Sequence, residues 1–238
     1  GWEPNLGHQM LSIMFWEAGG TFFSEDRREN LVVTNPDMAA AMEKALARFN
    51  RILWEDTITA NDIGDQGFGN GDVPYMIQGP WAVSRVVKPY GQLEAEQVGI
   101  APLPSDPDTG MSSTRWYAKA LALFKTTSEQ ETAALEFIEW FYAPEQHARW
   151  CVEAGYLPVT LSAAEDETWR TFAADNDYVN VFLDQVETMR RKPVGIPWKE
   201  DLVAAIDLVK FQETTPAEAV KHYQENAETT LAEFWQFR

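Results

Sequence analysis

The chain has 238 residues, 45% of them hydrophobic, which excludes a disordered or fibrous protein and is enough for a sizeable core in one or two domains. Its 37 acidic and 19 basic residues give a net charge of -18, which repels phosphate backbones and anionic membrane surfaces, so we expect no nucleic acid as a partner. No apolar run is long enough to span a bilayer. Because the sequence opens at Gly1 without a Met or a signal peptide, we expect it to begin within a longer protein, whose targeting sequence is not in this chain.

The first half of the chain predicts helices separated by loops. Residues 8–18 have a helical pattern that ends at Gly19-Gly20. Asn35-Pro36 is typical of a helix start, and apolar residues recur at helical spacing as far as Leu53. Short apolar runs predict strands at residues 31–33, 75–77 and 98–101.

The second half is also rich in predicted helices. Residues 119–124 predict a buried strand, and Ser128 with Glu131 forms a capping box before a helix. Further helices are predicted over residues 144–154, 169–189 and 198–211, and from Thr215-Pro216 onward. Many helices with short, scattered apolar strands favour an α/β fold over a β-sandwich.

Few residues have the spacing of a catalytic or metal site. Cys151 is the one cysteine, and the histidines lie far apart, so we expect no disulfide, no metal and no cofactor. His147 is predicted to be a surface residue of its helix. The carboxylates of residues 165–167 leave open an enzyme of glycosidase or hydrolase type, which would need two inward carboxyl groups roughly 5–9 Å apart.

Several motifs occur in the order that one protein family shows. Phe68-x-x-Gly71, followed by Met76-Ile77-Gln78 and then Gly79-Pro80-Trp81, resembles extracellular solute-binding proteins of carbohydrate ABC importers (family 1, maltose-binding-protein-like). The other similar motifs are Trp16-Glu17-Ala18-Gly19-Gly20, Asn35-Pro36, Gly99-Ile100-Ala101-Pro102-Leu103-Pro104, Ala133-Ala134-Leu135-Glu136-Phe137-Ile138, Pro144-Glu145-Gln146-His147-Ala148, Gly155-Tyr156-Leu157-Pro158-Val159 and Thr215-Pro216-Ala217-Glu218-Ala219. These motifs extend over nearly the whole chain.

The resemblance implies a periplasmic-binding-protein-like (type II) fold, in which two α/β lobes enclose the ligand. Residues 1–118 and 158–238 would be the C-terminal lobe, helix-rich with a short-stranded mixed sheet. Residues 119–157 would be a return segment that normally packs on the N-terminal lobe. The rest of that lobe would come from another chain or an upstream segment. We therefore expect apolar side chains of the return segment, such as Leu135, Ile138 and Phe141, to be exposed.

The resemblance also implies a function without catalysis. The protein would capture a sugar or oligosaccharide in an interlobe cleft and deliver it to the transmembrane subunits of an ABC permease. It would be periplasmic or an extracytoplasmic lipoprotein. A sensory sugar-binding domain remains an alternative. A polyamine or an anion is a further alternative. Aromatic stacking with few cationic residues near Trp81 disfavours an anion, although Arg85 and Arg115 weaken that argument.

Trp81 is the main candidate ligand-binding residue. The turn at Gly79-Pro80 projects it from a strand end, and a flat aromatic face suits the C–H face of a sugar ring. Packing against its own helix is the alternative for this residue. The other candidates, for which core packing or a solvated loop is the alternative, are Trp198, Trp116, Tyr117, Gln9, His8, Asn61 and Asp62. The tryptophans in helical patterns are expected to pack in the core or between lobes: Trp54, Trp140, Trp150, Trp169 and Trp235.

Overall fold

The computed structural model describes residues 2–3, 7–54, 64–89, 91–116, 119–193 and 197–236. The chain forms two compact units. Unit 1 comprises Gly1–Ile77, Leu103–Trp116 and Glu187–Arg238, and unit 2 comprises Gln78–Pro102 and Tyr117–Val186. These bounds differ from those of the predicted lobe and return segment, whose assignment to lobes stays a prediction.

Unit 1 is a helical unit with two short parallel strand pairs. Its helices are α1 (His8–Glu17), α2 (Leu31–Thr34), α3 (Pro36–Trp54), α4 (Gly64–Gly69), α11 (Lys199–Lys210) and α12 (Pro216–Gln236). Its strands are β1 (Trp2–Glu3), β2 (Tyr75–Met76), β3 (Thr114–Arg115) and β4 (Met189–Arg190). Strand β1 pairs with β2 and strand β3 with β4, both in parallel. One isolated antiparallel bridge joins Phe23 to Asn30.

Helix α1 is the centre of the unit 1 core. Its residues from Met10 to Glu17 are all buried, and α3, α11 and α12 pack around it or around one another. Helix α3 is amphipathic and turns Met42, Leu46 and Phe49 inward. The predicted helix over residues 8–18 is confirmed, and it ends where Gly19 adopts a φ of +86°.

Two buried carboxylates in unit 1 are held by cations from α3. Arg48 Nη1 lies 3.0 Å from Glu17 Oε2 and 3.7 Å from Asp106 Oδ2, and Lys44 Nζ lies 3.0 Å from Asp106 Oδ1. Burial raises the pKa of Glu17 to about 7 despite the neighbouring Arg48. The loop at residues 106–111 is attached to α1 because Thr109 Oγ1 donates a hydrogen bond to the Glu17 carbonyl oxygen.

Three strand predictions are wrong in this structure. Residues 31–33 lie in helix α2, because the Asn30 side chain caps that helix by accepting a hydrogen bond from the Val32 N–H at 3.1 Å. Residues 98–101 and 119–124 are in no strand. A strand needs a partner, and within the described chain neither segment has one. The prediction at residues 75–77 is confirmed by β2.

Unit 2 has its own small core between helices. Its helices are α5 (Val83–Val86), α6 (Ser128–Phe141), α7 (Pro144–Ala154), α8 (Leu161–Ala164), α9 (Glu167–Asp175) and α10 (Tyr178–Asp184). Helices α7, α8 and α9 pack together around Ala148, Cys151, Ala163 and Trp169. The single helix predicted over residues 169–189 is therefore divided between α9, which begins two residues earlier, and α10.

Helix α6 has a largely exposed apolar surface. None of its residues is buried, and Leu135 is 49% exposed, Phe137 51% and Trp140 54%. Ile138 and Phe141 are half-buried. The expected exposure is thus confirmed at Leu135 and is partial at the other two positions. Trp140 does not pack within unit 2 as a core residue.

No helix within the described ranges combines the length and the apolar character that crossing a bilayer requires.

Candidate functional site

Trp81 lies in unit 2, on a short 3-10 helix (Pro80–Ala82) that leads into α5. Gly79 precedes it in an extended conformation, with φ at -84°. A Cβ added at Gly79 would lie 2.0 Å from Cζ3 of Trp81, so the indole folds back onto the turn only because residue 79 has no side chain. The Trp81 side chain is half-buried, which places it neither in the packed interior nor fully in solvent.

Trp81 belongs to an aromatic stack that includes Tyr156, Trp150 and His147. Ring centroids are 5.8 Å apart for Trp81 and Tyr156, 4.9 Å for Tyr156 and Trp150, and 5.9 Å for Trp150 and His147. The successive rings are inclined by 26°, 17° and 14°. The stack therefore joins a half-buried ring to the core formed by α7.

Gly155 brings the end of α7 against the turn that carries Trp81. It ends the helix with a φ of +71°, and a Cβ there would lie 2.9 Å from the Trp81 Cα. The predicted helix over residues 144–154 is confirmed by α7, and the position of its Gly155 cap next to Trp81 is one that the sequence pattern does not indicate. Tyr156, the next residue, is the ring on which the indole stacks.

His147 was predicted to be on the surface, and this is wrong. Its side chain is buried, with 1% of the residue exposed. Its Nε2 accepts a hydrogen bond from the Val159 N–H at 3.2 Å, and burial lowers its pKa. The neighbouring Cys151 thiol is also buried, which raises its pKa to about 12 and disfavours the reactive thiolate. Both side chains therefore serve as interior groups.

Four of the predicted ligand-binding residues lie in unit 1. His8 and Trp198 are in ring contact, Gln9 follows His8 on α1, and Trp116 follows Arg115, whose charge acts on His8. His8 begins α1 and Trp198 caps α11, and their rings meet edge to face at 5.9 Å. Trp198 is only 7% exposed, because it packs on Phe22 and its Nε1 donates to the Pro193 carbonyl oxygen at 3.0 Å. The core-packing alternative accounts for its position here, and its role in binding stays a prediction.

Trp116 is the most exposed aromatic of this group, at 46%. Its backbone N–H donates to the Arg190 carbonyl oxygen at 2.9 Å, directly after the β3–β4 pair. The Arg191 guanidinium carbon lies 5.0 Å from the centroid of the Trp116 ring, a cation–π arrangement. Trp116 thus offers an indole and an adjoining cation at the end of a strand pair.

Cations surround this region although the chain is strongly acidic. Burial lowers the pKa of His8, and the positive charges of Arg115, Lys199 and Lys192 lower it further. Arg191, Lys192 and Lys199 were not among the predicted site residues. The run Arg190-Arg191-Lys192, the one place in the chain where three basic residues are consecutive, is the signal that could have indicated the first two, and no motif singles out Lys199.

Three predicted ligand-binding residues, Tyr117, Asn61 and Asp62, lie outside the described residues. The remaining candidates therefore form two groups, which are Trp81 with its stack in unit 2 and the His8–Trp116–Trp198 region in unit 1.

The acidic run at residues 165–167 has a structural role. Asp166 Oδ1 accepts a hydrogen bond from the Thr168 N–H at 2.9 Å and so caps α9. Glu165 and Glu167 are exposed on either side of it. Among the described residues, no cluster of His, Cys, Asp and Glu has the arrangement of a metal site.

Solved structures of binding proteins share this fold. The sugar-binding protein MalE from the phytopathogen Xanthomonas citri superposes with a TM-score of 0.73 at 19% identity, over 99% of this chain and 60% of that one. MalE from Bdellovibrio bacteriovorus bound to maltotriose superposes with a TM-score of 0.75 at 17% identity, over 97% of this chain and 60% of that one. UgpB from Mycobacterium tuberculosis in complex with glycerophosphocholine superposes with a TM-score of 0.69 at 20% identity, over 94% of this chain and 55% of that one.

These similarities confirm the predicted fold class, a helix-rich α/β fold of the type II periplasmic-binding kind. This chain spans between 55% and 60% of the length of those three proteins. A search of curated protein sequences gives no match. A scan against protein families matches residues 2–179 to the family described as bacterial extracellular solute-binding protein. Since the match extends over most of the chain, the protein belongs to the family of bacterial extracellular solute-binding proteins.

Proposed function

We propose that this protein is the substrate-binding component of an ABC importer and that it captures a sugar or an oligosaccharide. The observation that carries the proposal is the half-buried indole of Trp81, held on the Gly79-Pro80 turn in a solute-binding fold. An indole face packs well against the C–H face of a pyranose ring. The maltotriose-bound relative supports a carbohydrate as the ligand class.

The proposed mechanism is a change in population rather than a reaction. Ligand that contacts two lobes binds the closed form more tightly than the open form, and its differential affinity shifts the equilibrium toward closure. The closed form then docks on the transmembrane subunits of the permease. Residues 1–118 and 158–238 would act as one lobe, and residues 119–157 would pack on the other.

Location follows from the proposed function. A receptor that feeds an importer works outside the cytoplasmic membrane, and the family is one of extracellular proteins. We place the protein in the periplasm or on the outer face of the membrane as a lipoprotein. A glycosidase is not favoured, because the family is one of binding proteins and Asp166 of the acidic run caps a helix.

The proposal is tested with the full-length protein by isothermal titration calorimetry against a panel of mono- and oligosaccharides. Trp81→Ala is expected to weaken binding about 30-fold, as removal of a central aromatic contact does. Phe211→Ala is the matched control, since it removes a ring that is 63% exposed at the end of α11. Equally tight saccharide binding by both variants would show that Trp81 does not contact the ligand. If no saccharide of the panel binds, the proposed function is contradicted.

A further inference from the structure

A concentration of positive charge, which we name the basic group, lies in unit 1. It consists of Arg115, Arg190, Arg191, Lys192 and Lys199. Arg115 on β3 pairs in register with Arg190 on β4, and Arg191 and Lys192 follow directly. Lys199 opens α11, and with Arg115 and Lys192 it acts electrostatically on His8. Five of the 19 basic residues of a chain with a net charge of -18 are therefore in one place.

The charges of this group are mostly not neutralised by the chain itself. Arg190, Arg191, Lys192 and Lys199 are exposed. Within the part of the chain that the structure describes, none of these four forms an ion pair with a carboxylate, whereas Lys44, Arg48, Lys88 and Arg149 do. The Glu200 carboxylate raises the pKa of His8, whereas the cations Arg115, Lys199 and Lys192 lower it. Like charges held close together repel, and a bound anion relieves that repulsion.

Members of the basic group lie beside predicted ligand-binding residues of unit 1. The Arg191 guanidinium lies over the exposed Trp116 ring, and His8 and Trp198 are in ring contact beside Arg115 and Lys199. An aromatic face contacts the C–H face of a sugar, while guanidinium and ammonium groups bind carboxylate or phosphate oxygens. The two chemistries are therefore side by side.

We infer that the ligand that binds at the basic group and Trp116 is an acidic saccharide, a sugar that carries a carboxylate or a phosphate. The inference rests on the proposed function and narrows its substrate class. From the sequence, an anion is disfavoured by the few cations near Trp81. The β3–β4 pairing and the start of α11 gather cations at the other candidate aromatic, Trp116, which sequence order does not reveal.

The first test compares ligands of matched size on the full-length protein by calorimetry at 50 mM and 300 mM NaCl. The probes are maltose and maltotriose paired with di- and trigalacturonate, glucose paired with glucose 6-phosphate, and inorganic phosphate alone. We expect either the uronates or the sugar phosphate to bind at least about tenfold more tightly than the neutral sugars, and to weaken at high salt as surface electrostatics are screened. The galacturonate and phosphate arms distinguish the two sources of negative charge.

The second test uses two lysines of one helix. Lys199→Gln removes a member of the basic group. Lys210→Gln removes a lysine eleven residues further along α11, about 16 Å away and beyond the screening length of physiological salt. We expect Lys199→Gln to weaken the acidic saccharide about tenfold and Lys210→Gln to leave it unchanged, with circular dichroism showing that both variants fold.

The outcomes separate the inference from the function on which it rests. If neutral saccharides bind as tightly as acidic ones and the two lysine variants behave alike, the inference is overturned while the proposed function stands. If inorganic phosphate competes equally with every acidic sugar, the group binds anions without recognising a saccharide, which also overturns the inference. If no saccharide binds, both fail.

Discussion

The indole of Trp81 stacks on the phenol ring of Tyr156, with ring centroids 5.8 Å apart and planes inclined by 26°. Two glycines permit this contact. Gly79 leaves room for the indole to fold over its own turn, and Gly155 ends α7 beside the Trp81 backbone. The orientation of the main candidate ligand contact thus depends on two residues without side chains.

A methyl group at position 79 should therefore disturb the proposed site without unfolding the protein. In Gly79→Ala, the Cβ would come within 2.0 Å of the outer edge of the Trp81 ring, so the indole must move. The backbone angles at this position suit alanine. We expect saccharide affinity, measured by calorimetry, to fall about tenfold while the melting temperature changes by only a few degrees.

Gly99→Ala is the control for that experiment. No atom lies within 4 Å of a Cβ at Gly99, and the residue does not require a positive φ. Its affinity should match that of the unmodified protein. Equal affinity in the two alanine variants would show that the indole position does not determine binding.

Glu17 should make the stability of the protein depend on pH near neutrality. Its pKa in the folded protein, about 7, is above its ordinary value, so the folded state binds a proton that the unfolded state releases. The resulting stabilisation is fully present below about pH 4.5 and is lost as the pH rises through 7. Relative to the unmodified protein, Glu17→Gln should gain stability between pH 5 and 8.

Differential scanning calorimetry of both proteins across that pH range measures the effect. A change of about 1 kcal/mol in the free energy of unfolding corresponds to roughly 2–4 °C in a protein of this size, so the difference between the two melting curves is measurable. A difference in melting temperature that is constant from pH 5 to 8, or that moves the other way, would contradict the proposed titration.

His147 should act in the opposite direction. Burial lowers its pKa in the folded state, so the unfolded state binds protons more readily as the pH falls. Stability is therefore lost below about pH 6.5, the ordinary value for a histidine. His147→Gln should remove this loss between pH 7 and 5. His222→Gln, at an exposed position of α12, is the control and should keep it.

Phe137 tests whether the exposed face of α6 packs on another lobe of the complete protein. The side chain is 51% exposed in this chain, so Phe137→Glu should cost little if nothing covers it. In the full-length protein we expect a loss of several degrees in melting temperature, because a carboxylate would be buried at the interface. Glu136→Gln, on the same helix, should have no effect. A full-length Phe137→Glu variant that melts like its parent would contradict the predicted division into lobes.

Helix starts could be predicted from the sequence because the residues that determine them are local. The Thr215–Glu218 capping box is observed as two reciprocal hydrogen bonds of 3.3 Å, between the Thr215 N–H and Glu218 Oε2 and between the Glu218 N–H and Thr215 Oγ1. Near Ser128 the cap is shifted by one position, since the Thr127 hydroxyl accepts from the Gln130 N–H. Local hydrogen bonds of this kind leave a clear signal in the amino-acid order.

Features that depend on distant residues could not be predicted. The apolar run at residues 119–124 has the composition of a buried strand, but it forms no strand and its Phe124 is 78% exposed. Strand formation depends on a neighbouring strand, which the pattern of one segment does not specify. His147 is buried because Phe141 and Tyr142 pack on its ring and the Val159 N–H donates to its Nε2, contacts that the periodicity of one helix does not reveal. Likewise, Arg115 and Lys199 are 84 residues apart and come together through tertiary structure.

The aromatic stack gives the protein an intrinsic spectroscopic signal for changes at Trp81. Two indoles, Trp81 and Trp150, lie on either side of one phenol, close enough for their electronic transitions to couple. Near-ultraviolet circular dichroism of such an array is sensitive to small rotations of any of its rings. A molecule that displaces Trp81 would therefore change the spectrum directly, without an attached dye.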